Sequence, residues 1–81
     1  MRIPTIHLNG TSKERLTNGY EKAYDKLREA GDALTEIEFN PRDYYVQGPE
    51  AWPEAVKEME ARFKALAKIQ NEIEAILEGI Q

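Results

Sequence analysis

The sequence predicts an all-α fold: an antiparallel two-helix hairpin with a short extended N-terminal segment, self-associating into a helical bundle. Three observations predict it. Apolar residues recur at alternating steps of four and three from Leu16 to Ile37 and again from Val56 to Ile80, the period of a helix face and not of a strand. Between the two patterns lies a run containing Pro41, Gly48, Pro49 and Pro53, which breaks a continuous helix. Both apolar patterns are also wider than one partner helix can cover.

The elements follow in order. Residues 1–10 read as an extended segment. Helix 1 is expected over about 11–39, with Thr11-Ser12-Lys13-Glu14 as a capping box in which the Thr11 hydroxyl serves the exposed amides. Its seam runs Leu16, Tyr20, Ala23, Leu27, Ala30, Leu34 and Ile37, a heptad spacing. Gly19 and Gly31 weaken it by about 1 kcal/mol each relative to alanine, and Gly31 suggests a close backbone approach. Asn40-Pro41 ends the helix, because a residue before proline is pushed out of the α region. A loop over 40–51 leads to helix 2 at about 52–80, where Pro53 is tolerated in the first turn. The second seam runs Val56, Met59, Phe63, Leu66, Gln70, Ile73, Leu77 and Ile80. Glu58 with Arg62 and Glu60 with Lys64 have favourable i,i+4 spacing on the solvent side. Both patterns span about 27 residues, roughly 40 Å of helix, and equal lengths joined by a short connection make a hairpin.

Ile69, Ile76 and Ala55 flank the second seam, and Tyr24 and Ala33 the first. This surplus predicts a homo-oligomer, most simply a dimer forming a four-helix bundle. The competing arrangement is a monomer in which Ile3, Ile6 and Leu8 fold back over the gap.

Composition narrows the function. At 81 residues the chain is one domain, and 41% hydrophobic with 32% charged content marks it as folding. It lacks cysteine, which excludes disulfides and thiolate metal sites, and its single histidine is His7. The net charge of −4 argues against a partner that is a nucleic-acid polymer. No apolar run reaches membrane-spanning length and no signal peptide is evident, so the expected location is the cytoplasm, and Asn9-Gly10-Thr11 reads as turn and cap rather than glycosylation site. The sequence has no phosphate loop, no His-Glu metal motif and no cysteine nucleophile, and Glu21, Asp25, Glu29, Asp32 and Glu36 fall mostly on the solvent side of helix 1. The expectation is a protein without enzymatic activity, metal or cofactor.

Two segments are candidate binding sites. The first is the loop, where Arg42, Tyr44, Tyr45, Gln47 and Trp52 bring a planar cation and aromatic rings to a connection that needs neither. They suit a nucleotide-like ligand or a protein partner; alternatively Tyr44 and Trp52 plug the end of the bundle while Arg42 pairs with Asp43 or Glu50. The second is His7, Asn9, Gly10, Thr11 and Ser12, where a glycine and two hydroxyls at a helix N-terminus could hold an anion or simply form a turn and cap. The two lie at opposite ends of one hairpin, so a shared pocket requires two hairpins packed head to tail. Gln70, a polar residue on the seam, reads as a device that fixes register.

The segments Ile6-His7-Leu8-Asn9-Gly10-Thr11-Ser12 and Arg42-Asp43-Tyr44-Tyr45-Val46-Gln47-Gly48 resemble those of small uncharacterised proteins encoded by tailed phages and prophages, a resemblance that covers nearly the whole chain. It implies a phage-encoded protein acting in the host cytoplasm. In architecture the short hairpin is similar to phage proteins that sequester cyclic-nucleotide or cyclic-ADP-ribose signals of bacterial immunity, although their ligand-binding motifs find no residue-by-residue match here. The resulting expectation is an oligomer that sequesters a small anionic nucleotide-type signalling molecule; the alternative is a protein-interaction module, an inhibitor or assembly factor, anchored by Tyr44, Tyr45 and Trp52.

Overall fold

A computed structural model describes residues 1–81. The chain is all-helical. Helix α1 spans Lys13–Thr35, two single-turn 3-10 helices follow at Pro41–Asp43 and Tyr45–Gln47, and α2 spans Ala51–Ile80. The two long helices pack as an antiparallel hairpin 61 Å in its longest dimension.

The boundaries of α1 differ from the expected 11–39, and the helices are unequal at 23 and 30 residues. Ser12, not Thr11, is the N-cap: its Oγ accepts from the amide of Arg15 at 3.1 Å. The residue three positions after this cap is Arg15, so the reciprocal glutamate of a capping box is absent. At the other end the apolar pattern continues to Ile37, but the helix stops at Thr35, whose hydroxyl donates to the carbonyl of Asp32 at 2.6 Å. Such back-bonding competes with helix propagation, and Asn40 is already extended ahead of Pro41. The connection therefore covers 36–50 rather than 40–51.

The α1 face that meets α2 also differs from the expected seam. Leu16, Tyr20, Tyr24, Leu27, Gly31 and Leu34 are half-buried, whereas Ala23 and Ala30 are exposed. The observed set averages 3.6 residues per step, the period of a straight helix; a strict heptad drifts about 20° per repeat away from it. Tyr24 is held on this face by donating its hydroxyl to Glu74 Oε1 across the hairpin at 2.8 Å. That hydrogen bond, followed by the nearby Glu74 charge, raises the Tyr24 pKa above 10.0. The contact is therefore fully present below pH 10.0 and lost as pH rises through the raised value. A Cβ on Gly31 would touch nothing within 4 Å, so no backbone of this chain approaches it.

The α2 seam is as expected: Val56, Met59, Phe63, Leu66, Gln70 and Leu77 are half-buried, and Ile73 and Ile80 are buried with Ala55. Those last three are the only buried residues. The expected Glu58–Arg62 and Glu60–Lys64 contacts are not formed; the ion pairs present are Lys26–Glu29 and Asp25–Arg28 on α1, both exposed. Pairs in such positions contribute little in either case.

The N-terminal segment folds back on the far end of α2. Ile3 lies so close to Gly79 that a Cβ there would sit 2.5 Å from its Cδ1, which accounts for a glycine inside the last turn of a helix. The covering is partial, since Leu8 is 99% exposed and Ile3 and Ile6 are 40% exposed.

Candidate functional site

The connection between the helices is built around three rings. Phe39 lies 4.6 Å from Trp52 and 5.8 Å, edge-on, from Tyr44, and Tyr44 lies 5.7 Å from Trp52, all centroid to centroid. These are attractive aromatic geometries, and the three residues are half-buried. Phe39 was not among the residues expected here. The signal was present in the sequence: an aromatic directly before Asn40-Pro41, out of step with the seam that ends at Ile37.

The backbone winds tightly through the tip. Asn40 accepts from Asp43, Pro41 from Tyr44, Tyr44 from Gln47 and Tyr45 from Gly48, through backbone bonds of 2.9–3.3 Å. Gly48 has φ 121°, the left-handed region where a side chain is strained, and it turns the chain from the second 3-10 helix into α2. Gly48→Ala is expected to destabilise the protein by about 1–3 kcal/mol in urea unfolding, since space for the methyl exists and only the backbone conformation resists it.

This scaffold divides the loop residues into two groups. Tyr44 and Trp52 are committed to the ring cluster. Tyr45 and Val46 stand 69% and 76% exposed, and Arg42 and Gln47 are exposed beside them. Arg42 makes no ion pair with Asp43 or Glu50. The tip is thus a braced knob with two apolar side chains, a free guanidinium and an amide on its surface. No concavity forms there.

The second candidate segment sits at the opposite end of α1, separated from the tip by about 35 Å of helix. His7 accepts from the Gly10 amide at 3.1 Å, and its ring covers Gly10, where a Cβ would lie 2.7 Å from Nε2. With the Gly10 amide used in the turn and the Arg15 amide used by Ser12, fewer donors remain for an anion. His7, Asn9, Thr11 and Ser12 are exposed. Within one chain the structure does not bring these residues to Arg42, Tyr44, Tyr45, Gln47 or Trp52.

The larger concave feature is elsewhere. An open apolar groove of about 600 Å³ runs between the tip-proximal end of α1 and the middle of α2, lined by Ala30, Ala33, Leu34, Ile37, Ala65, Leu66 and Ile69 together with Arg62. Ile69 is 44% and Ile37 50% exposed. Ile69 and Ala33 are the surplus apolar positions of the sequence, whereas Ala30, expected in the seam, lines the groove instead. No three His, Cys, Asp or Glu side chains group as a metal site, and no helix is long and apolar enough to cross a membrane. No family model, curated protein or solved structure matches the chain.

Proposed function

We propose that the protein is a non-enzymatic interaction module: a self-associating helical hairpin that presents its tip to a protein partner, as an inhibitor or assembly factor encoded by a phage would. The observation that carries this reading is the division of labour in the tip. Phe39, Tyr44 and Trp52 brace the backbone, and Tyr45 and Val46 are held out in solvent on that support. Aromatic side chains on a pre-organised loop are effective anchors, because little conformational freedom is lost on binding. The role given to Tyr44 and Trp52 thereby changes from contact to support.

Self-association is supported by the exposed Ile37 and Ile69 and by the large total surface of the chain. The chain exposes 6466 Å², against about 5,000 Å² for a compact protein of its mass, and its radius of gyration is 18.3 Å against about 12 Å. The excess is more than the ~800 Å² that a standard partner interface covers on each side.

The partner reading is tested by capture from the source cell with the purified protein and with a Tyr45→Ala/Val46→Ser variant. Retention of a specific protein by the wild type and its loss in the variant, with circular dichroism and mass unchanged, is the expected outcome; equal capture by both would contradict it.

A second reading, sequestration of a small anionic nucleotide-type molecule, is favoured by the unpaired Arg42 next to the exposed Tyr45 ring. A thermal-shift screen of nucleotides separates the two. Stabilisation that grows with ligand concentration and disappears in Arg42→Ala supports sequestration; indifference to every nucleotide supports the interaction module.

A further inference from the structure

We infer that the apolar groove between the end of α1 and the middle of α2 is the seat of a second copy of this chain, related by a two-fold axis parallel to the helices, so that both tips project from the same end. The inference rests on the self-association read above and assigns its surface and orientation.

The register of the hairpin fixes the argument. Tyr24 binds Glu74 across the helices, and each step along α1 is matched by an equal step back along α2. Lys26 therefore stands level with Glu72, and Ala33 with Ala65. On α1 the groove's edge is formed by Ala30 and Ala33, with Ile37 just past the helix end, and Lys26 precedes them four residues before Ala30 on the same stripe. On α2 it is formed by Ile69, Ala65 and Arg62, and Glu72 follows three residues after Ile69, at the border with the concavity beside Met1. At its tip-distal end each apolar stripe thus meets, at the same level, a charge of opposite sign to the other.

A two-fold axis parallel to the helices lays α1 of one copy on α2 of the other. Lys26 then faces the partner's Glu72, and symmetry repeats the pair. Alanines on both sides permit close helix approach, and Ile37 and Ile69 fill the opposing groove. A two-fold axis across the helices would set α1 on α1 and α2 on α2, so the two opposite charges would not face one another. Complementary charge at an interface selects orientation even where it adds little affinity. The chain as a whole exposes about 1,500 Å² more than a compact protein of its mass, enough to supply the ~800 Å² per partner of a standard interface. The N-terminal segment lies on another side of α2, with Ile3 against Gly79 and Met1 beside Lys68, Asn71 and Ala75, so the groove itself stays uncovered within the chain. In this arrangement the 9–12 turn of one copy stays far from the tip of the other, and two Tyr45–Val46 knobs stand side by side.

The test is a charge swap read by the dimer dissociation constant from sedimentation equilibrium, together with one distance. Lys26→Glu and Glu72→Lys should each weaken the dimer about tenfold, and the double variant should recover most of the loss. The Lys26–Glu29 contact within α1 is not restored by the swap, so recovery reports the contact between copies. The chain has no cysteine, so a spin label on Gln81→Cys is unique. The parallel arrangement puts the two labels within about 30 Å, and a head-to-tail dimer centred on the groove puts them near 50 Å. A dimer with the longer distance, or without recovery in the double variant, overturns this inference and leaves the interaction-module reading standing. A protein that is monomeric at every concentration overturns the self-association reading with it.

Discussion

Ile73→Asp is expected to leave the chain unfolded at 25 °C. Ile73 is 8% exposed and is the one large buried aliphatic in the body of the hairpin, the other buried residues being Ala55 near the tip and Ile80 at the helix end. Removing it forfeits roughly 2–3 kcal/mol of apolar burial, and a carboxylate in its place adds a desolvation penalty of several kcal/mol. A domain of this size holds only about 3–5 kcal/mol in total. The helical signal in circular dichroism should be lost, and Ile73→Val, which removes one methylene at about 0.5–1.5 kcal/mol, should remain folded with a lowered melting temperature. A folded Ile73→Asp protein with a cooperative melt near that of the wild type would mean that the hairpin is not held by this face of α2.

Phe39→Ala should loosen the tip without dissolving the helices. Phe39 touches both other rings, and its loss is expected to cost about 2–4 kcal/mol through lost burial and two aromatic contacts. Since α1 ends at Thr35, most of the helical signal should persist at low temperature. Trp52 is the only tryptophan, so its fluorescence reports the cluster directly and should shift to the red as the indole gains water. Tyr45→Ala serves as the comparison, because an exposed side chain outside the cluster should change stability by less than about 0.5 kcal/mol and leave the emission in place. Equal effects from both variants would contradict the division between braced and presented residues.

Those two contrasts show how far the sequence could be read. The hairpin was legible because two long apolar periods flank a segment rich in proline, and tertiary packing reinforces that local preference. The end of α1 was not, because Ile37 continues the pattern although Thr35 turns its hydroxyl onto Asp32 and Phe39 is drawn into the tip. The face of α1 shifted from Ala23 and Ala30 to Tyr24 and Gly31 because the heptad pattern and a straight helix drift apart by about 20° per repeat, roughly 50° over this helix, and no single residue announces which period applies. In the tip, the concentration of aromatic residues marked the place. Which rings pack and which are presented depends on the path of two 3-10 turns and on the positive φ of Gly48, a property of the folded backbone that residue types alone do not carry.

Whether the hairpin works as an assembly rather than as a single chain is tested most directly by its molar mass across a wide concentration range, measured by light scattering. The exposed groove and the surplus of surface predict a mass of at least twice 9.3 kDa that falls only on strong dilution. A mass of 9.3 kDa at every concentration, with the helices intact, would contradict it.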